Sequence, residues 1–154
     1  MKILISAGKS AKAFKVKNLL NSHELFLVDY GDMPDFVGSD SKFVSLGQRN
    51  EETLAHTILT MCLDMGVEAC LPLNKEEIYA CSEAKLLFEE FGIALLVPEL
   101  DYLKSFRAID SADKSITILM NGKDLASGEY NDKLLGVSGI YYSNSLALKP
   151  QLFV

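Results

Sequence analysis

A short stretch near the N-terminus carries the residue types of an anion-binding turn. Ser6, Gly8, Lys9 and Ser10 follow a brief apolar run, and helical spacing begins at Ala11. The free N–H groups at the start of a helix attract phosphate or carboxylate, and a lysine beside them adds positive charge. We therefore predict that Ser6, Gly8, Lys9 and Ser10 bind a small anionic ligand. The alternative is that the lysines of this segment form a solvated helix face.

A second group of polar residues follows two later apolar runs. Asp29 ends the segment 24–29, whereas Asn74 and Glu76 follow the segment 67–73. Because the carboxyl ends of parallel strands meet at one edge of a sheet, we predict that these three residues face the same ligand-binding crevice. Helix capping by Asn74 and dipole support from Glu76 explain the same residues without a ligand. A solvated turn is the alternative for Asp29.

Two nucleotide-binding motifs were compared with the first turn. The Walker A motif requires a glycine where this chain has Ile3, which excludes a P-loop. The dinucleotide fingerprint would align Gly8, Ser10 and Ala13, with Asp29 in place of the ribose-binding acid. The middle glycine, which allows close approach of a pyrophosphate, is replaced by Ser10. A small NAD-type binding domain therefore stays open as the alternative function.

The remaining reactive residue types predict no catalytic group and no metal site. The histidines lie in segments predicted as a strand start and a mid-helix position, without a nucleophile motif nearby. The cysteines lie in apolar patterns, which predicts reduced structural thiols. Adjacent acid pairs such as Glu76-Glu77 diverge by about 100° on a helix, so they are predicted to be solvated surface. The histidines are His23 and His56, and the cysteines are Cys62, Cys70 and Cys81.

The order of apolar segments predicts the elements that position these residues. Short β-type runs alternate with segments of helical spacing, and the runs are apolar on both faces, which is typical of a covered parallel sheet. We predict an α/β fold with a doubly wound, mostly parallel, Rossmann-like sheet over residues 1–105. Residues 106–154 are rich in β and turn signals, and we predict an extension on the sheet edge or a cap. Strands are predicted at 2–6, 24–29, 42–46, 67–73, 93–97, 115–120 and 136–142, and helices at 11–21, 51–65 and 76–91.

Size and charge restrict the class of protein. The chain has 154 residues, 49% of them hydrophobic, and a net charge of −6. This length suffices for one domain with a real core, and the acidic balance disfavours binding to nucleic acid. No apolar run is long enough to span a membrane, so we expect a cytoplasmic protein without membrane or nucleic-acid partners.

An ordered series of motifs resembles a known family. The segments are ILISAGK at residues 3–9, KVKNLL at 15–20, HELFLVD at 23–29, GVEACLPL at 66–73 and LLVP at 95–98. Together they resemble the N-terminal domain that precedes the ATP-grasp fold in carbamoyl-phosphate-synthase-like ligases. The resemblance implies a pre-ATP-grasp domain that flanks the cleft and shapes the site of the acceptor substrate.

The catalytic part of that family is not recognised in this chain. Asp113 and Lys114 match the Asp-Lys pair that opens the ATP-grasp portion, but the Thr-Pro-bearing strand that should follow it is not found. We therefore expect no catalysis by this chain alone and no cofactor of its own. ATP or another nucleotide would bind only with a partner, and an enzyme containing this chain would be an ATP-dependent carboxylate–amine ligase.

Three functions follow as hypotheses. The first is a free-standing pre-ATP-grasp domain that binds a ligand or a separately encoded ATP-grasp subunit. The second is the NAD-type domain described above. The third is a non-catalytic homo-oligomer, for which the crevice at the carboxyl ends of the strands should be shallow or blocked by the C-terminal segment.

Overall fold

The computed structural model of the chain describes residues 1–34, 41–105, 115–143 and 149–150. Its larger sheet contains β1 (Lys2–Ile5), β2 (Glu24–Asp29), β3 (Ser41–Ser45), β4 (Ala69–Leu71) and β5 (Ala94–Leu95). All neighbouring pairs are parallel, and the strand order is β3-β2-β1-β4-β5. This order confirms the predicted Rossmann-like α/β fold.

The strand order reverses beside β1. The chain first runs outward from β1 to β2 and β3, and then returns to place β4 on the other side of β1. Ile3 accordingly pairs with Leu25 on one side and with Ala69 on the other. Connections that leave in opposite directions open a crevice at the carboxyl ends of β1 and β4, where ligands bind in such sheets.

Helices connect the strands and differ from the predicted ones in two places. The described helices are α1 (Ala11–Leu19), α2 (Leu54–Met65), α3 (Lys75–Glu83), α4 (Lys85–Glu90) and α5 (Leu100–Ser105). The single helix predicted over 76–91 was wrong, because the backbone leaves helical geometry at Ala84, with ψ of 13°. This break turns Phe88 into the core and leaves Leu86 75% exposed. The short helix α5, which follows Pro98, was not predicted.

The two faces of the large sheet have separate cores. On one face, Leu4, Phe26 and Cys70 pack against α2, α3 and α4. On the other face, Ile3 and Leu27 pack against α1, which lies over β1 and β2. Helices on opposite faces explain why the strand residues are apolar on both sides.

A small antiparallel sheet follows the large one. It contains β6 (Ser115–Met120), β7 (Lys123–Asp124), β8 (Gly139–Ser143) and β9 (Lys149–Pro150), in the order β7-β6-β8-β9. The strand predicted over 115–120 is confirmed. The turn predicted at Asn121 and Gly122 is also confirmed, since both residues have the left-handed φ that such a turn requires.

The small sheet covers the part of the large sheet that α1 leaves open. Ile118, Leu125 and Ile140 belong to the same buried cluster as Leu71 and Leu96, which lie at the β4 and β5 side. In the described residues the second layer on this face is therefore half helix and half sheet. The boundary between residues 1–105 and 106–154 stays a prediction, because residues 106–114, with Asp113 and Lys114, lie outside the described residues.

All three cysteines are buried and free, which confirms the predicted structural thiols. Burial raises the pKa of the Cys81 thiol, and the neighbouring Glu77 carboxylate raises it further. A thiol in this environment stays protonated and does not act as a nucleophile. Within the described ranges, no helix has both the length and the apolar character needed to cross a membrane.

Candidate functional site

The end of β1 and the first turn of α3 meet through a buried hydrogen-bonded pair. Ser6 is fully buried, and Glu77 is 1% exposed. The Ser6 hydroxyl donates to Glu77 Oε2, and the Leu73 N–H donates to Ser6 Oγ at 2.9 Å. One hydroxyl group therefore joins β1, the connection after β4 and α3 at the place where the strand order reverses.

The second oxygen of this carboxyl group is unsatisfied. Glu77 Oε1 is buried and has no hydrogen-bond partner among the described residues. Burial raises the pKa of Glu77, while the hydrogen bond from Ser6 and the charge of Arg49 act in the opposite direction. The nearby Asp29 carboxylate raises this pKa further. The carboxyl group consequently holds its proton to a higher pH than a solvent-exposed glutamate does.

This raised pKa makes a pH-dependent stability prediction for Glu77→Gln. The native state binds the Glu77 proton more tightly than the unfolded state, so the folded protein loses stability as pH rises above the unfolded-state pKa and through the folded one. The side-chain amide of the Glu77→Gln variant does not ionise, so the variant does not lose stability in this way. We expect Glu77→Gln to be more stable than the natural protein at alkaline pH, and this advantage to shrink as the pH falls below that of an ordinary glutamate.

The free energy of unfolding of the natural protein and of Glu77→Gln is measured by urea denaturation, from a pH below the pKa of an ordinary glutamate up to alkaline pH. Glu76→Gln is the matched control, because Glu76 is the exposed neighbour on the same helical turn. A pH-independent difference for Glu77→Gln, or an equal pH-dependent gain for Glu76→Gln, would contradict the assignment.

Tyr30 and Arg49 pack against each other and lie near enough to Glu77 to influence its charge. The Arg49 guanidinium lies over the Tyr30 ring, with Cζ 5.5 Å from the ring centroid. Tyr30 Oη is buried without a hydrogen-bond partner in the described part of the chain. Burial, followed by the charge of Glu77, raises the pKa of Tyr30 to about 12. Arg49 also pairs with Glu51, whose pKa is lowered by that hydrogen bond.

Lys9 and Asp29 tie the first turn to the loop after β2. The Lys9 side chain donates to the carbonyl oxygens of Tyr30 at 2.7 Å and Asp32 at 3.3 Å. Asp29 Oδ2 accepts from the Lys9 N–H, and Oδ1 accepts from the Tyr30 N–H. The structure thus brings these two predicted residues together, but bonds them to the protein backbone.

Gly8 has a packing role in this turn. A Cβ atom at Gly8 would lie 2.8 Å from the backbone carbon of Leu27 and 2.9 Å from the nitrogen of Val28. The Gly8 N–H donates to the Val28 carbonyl oxygen at 2.9 Å. Glycine is therefore required because the turn lies directly against β2, whether or not a ligand binds.

Ser10 and Asn74 both act as helix caps. Ser10 Oγ accepts from the Ala13 N–H at 3.1 Å at the start of α1. Asn74 Oδ1 accepts from the Glu77 N–H at 2.9 Å at the start of α3. These contacts agree with the capping alternative for Asn74, and they place both side chains at the edge of the sheet where the crevice opens.

The two adjacent acids at the start of α3 differ in burial. Glu76 is exposed, and Glu77, which was expected to be solvated surface, is the buried member of the pair. The helical spacing contained a signal for this correction, because Glu77 precedes the buried Cys81 by four residues and therefore shares its face. Tyr30 and Arg49 carried no comparable signal, since both lie in irregular segments.

The small sheet closes one end of the crevice. Ile140 lies with Leu71 and Pro98 around a void of only about 10 Å³ above the ends of β4 and β5. A Cβ atom at Gly139 would lie 3.0 Å from Pro98 Cδ, so β8 packs directly on the chain after β5. The β4 and β5 end is therefore covered, whereas Lys9 and Arg49 are exposed at the β1 and β2 end.

Comparisons with known proteins give one structural neighbour to report. No family model and no curated protein matches the chain. A solved structure of a mutated uronate dehydrogenase is similar to 61% of this chain, with 14% sequence identity and a TM-score of 0.42. The matched region spans 38% of that structure's length. The fold assignment accordingly depends on the strand order and register described above.

Proposed function

We propose that this protein is a small-molecule-binding domain of the pre-ATP-grasp type, which binds an amino acid in its crevice and does not catalyse a reaction alone. The unpartnered Glu77 Oε1 is the observation that carries the proposal. A buried polar group without a partner costs about 1–3 kcal/mol, and native proteins pair nearly all such groups. A ligand that donates a hydrogen bond would satisfy this oxygen.

The charges around the crevice favour a ligand with both an ammonium and a carboxylate group. Glu77 Oε1 is a buried acceptor, and it attracts an ammonium group most strongly when the carboxyl is ionised. Lys9 supplies positive charge on the exposed side, whereas the charge of Arg49 is offset by its ion pair with Glu51. An amino acid also fits the acceptor of a carboxylate–amine ligase, which is the role that the family resemblance implies. ATP would then bind to a separate ATP-grasp subunit.

The first turn argues against the NAD-type alternative. The N–H groups of Gly8 and Lys9 already donate to Val28 O and Asp29 Oδ2. The second Asp29 oxygen accepts from Tyr30 N–H, so both oxygens of the ribose-binding acid have partners in the protein. Ser10 carries a Cβ atom where a dinucleotide site has glycine. A pyrophosphate and a ribose would compete with these internal hydrogen bonds.

The test combines a binding and a turnover measurement on the full chain. Thermal unfolding is followed with each common amino acid at millimolar concentration and with NAD. Acetate, which has only the carboxylate, and ethylamine, which has only the ammonium group, are the controls. We expect at least one amino acid to raise the midpoint temperature more than either control does. We also expect no phosphate release from ATP and magnesium in the presence of these compounds.

Variants locate the binding to the crevice. The ligand-induced rise should be lost in Glu77→Gln and kept in Glu76→Gln, since the proposed ligand bonds to the buried Glu77 carboxyl and Glu76 is exposed. Steady phosphate release would overturn the non-catalytic assignment. A stabilising effect of NAD without any effect of amino acids would favour the dehydrogenase-type alternative and overturn the proposed ligand.

A further inference from the structure

A second concave site lies outside the crevice, between the end of β5 and the loop before β8. Its cavity has a volume of about 290 Å³. Pro98 and Glu99 form one wall, and Leu134, Val137, Ser138 and Tyr141 form the other. Ligand sites of small proteins occur preferentially at such junctions between two packed units, and this volume lies at the lower end of their range.

The walls of the cavity are fixed by hydrogen bonds within the protein. The Tyr141 hydroxyl donates to the Ser138 carbonyl oxygen at 2.9 Å. The Val137 N–H donates to Leu134 O, and Val137 O accepts from the Gly122 N–H, both at 2.9 Å. Because the opposite wall begins at Pro98, whose φ is restricted, the cavity exists before any ligand arrives.

The lining determines the class of ligand. Leucine, valine, proline and the tyrosine ring make most of the surface apolar. The one carboxylate, Glu99, accepts from Lys85 Nζ at 2.7 Å, so the two charges offset one another at the mouth. An ion pair of this kind favours neither a cationic nor an anionic ligand. The Glu99 carboxylate nevertheless keeps acceptor capacity, because a carboxylate accepts several hydrogen bonds.

We propose that this cavity binds an uncharged aromatic molecule of one or two rings that donates one hydrogen bond to Glu99. The ring would pack between Pro98 and Leu134, and its N–H or O–H group would point to the mouth. This site is separate from the amino-acid crevice, and its existence does not depend on the proposed function.

The test uses indole as the probe and amide NMR spectra of the full chain as the readout. Addition of indole should shift the amide signals of Val137 and Ser138. The probe 1-methylindole has nearly the same shape but no N–H, so we expect it to bind about tenfold more weakly, which corresponds to about 1.4 kcal/mol. Equal binding of the two probes, or the absence of shifts at these residues, would overturn the proposal.

A pair of neighbouring leucines supplies the matched variants. Leu134 lines the cavity, whereas Leu135 is 65% exposed and does not. Leu134→Trp should fill the cavity and abolish indole binding, and Leu135→Trp should leave binding unchanged. If Leu134→Trp does not fold, Val137→Phe replaces it as the filling variant. Unchanged indole binding in a folded filling variant would refute the location.

Discussion

Replacing Ser6 by alanine is expected to lower the free energy of unfolding by about 2–6 kcal/mol, because two buried groups lose their partner at about 1–3 kcal/mol each. The Leu73 N–H loses its acceptor, and Glu77 Oε2 loses the hydroxyl donor. Glu77 Oε1 already lacks a partner within the described ranges, so the whole carboxyl group would be buried there without a hydrogen bond. Chemical denaturation monitored by circular dichroism measures the effect.

Ser45→Ala is the matched control for this prediction. Ser45 Oγ also makes two hydrogen bonds, to Gly31 O at 2.6 Å and from Gly47 N–H at 3.1 Å, but it is exposed. Water replaces the lost bonds there, so we expect a cost of less than about 1 kcal/mol. In addition, Ser6→Ala and Glu77→Gln should be non-additive, since the two side chains are in contact. Equal losses for Ser6→Ala and Ser45→Ala would refute the argument.

Gly8→Ala is expected to destabilise the protein by about 3 kcal/mol, because the added Cβ overpacks a rigid site. The atoms that it meets belong mainly to the β2 backbone at Leu27 and Val28, at 2.8–2.9 Å. A strand in the middle of a sheet cannot move away without breaking its pairing with β1 and β3. The turn must shift instead, and the shift would weaken the hydrogen bonds that Lys9 makes with Asp29 and Tyr30.

Gly66→Ala is the control that distinguishes the cost of steric overlap at Gly8 from the cost of backbone strain. Gly66 ends α2 with φ of 63°, and a Cβ atom there would have no neighbour within 4 Å. Its substitution strains only the backbone, at a cost of about 1 kcal/mol. The denaturation midpoint of Gly8→Ala should therefore fall well below that of Gly66→Ala. The reverse order would show that the close approach of the turn to β2 is not the reason for the glycine.

Local patterns predicted strands of both sheets because each strand and cap is specified by nearby residues. The apolar runs at 24–29 and 115–120 predicted β2 and β6 with the observed bounds. Asn50 caps the turn before α2 through its side chain, and Gly66 ends that helix, as their residue types indicate. The break at Ala84 was missed, since no glycine or proline marks it.

The sequence predicted where the candidate residues lie in the fold, but not which of them are buried. Ser6, Gly8, Lys9, Ser10, Asp29, Asn74 and Glu76 all lie at or beside the carboxyl edge of the sheet, as the order of strands and turns implied. Ligand binding by any of them stays a prediction. Both acids at the start of α3 were predicted to be exposed or ligand-facing, although the four-residue spacing from Glu77 to Cys81 indicated that Glu77 shares the buried face.

The sequence by itself determined the α/β class, the helix caps and the edge of the sheet at which polar residues collect. These depend on periodicity and turn chemistry within a few residues. Only the tertiary structure decided that Ser6 meets Glu77, that Tyr30 and Arg49 stand beside them, and that the small sheet covers the end of β5. Those contacts join residues far apart in the chain, and their energies come from removing specific polar and apolar groups from water together.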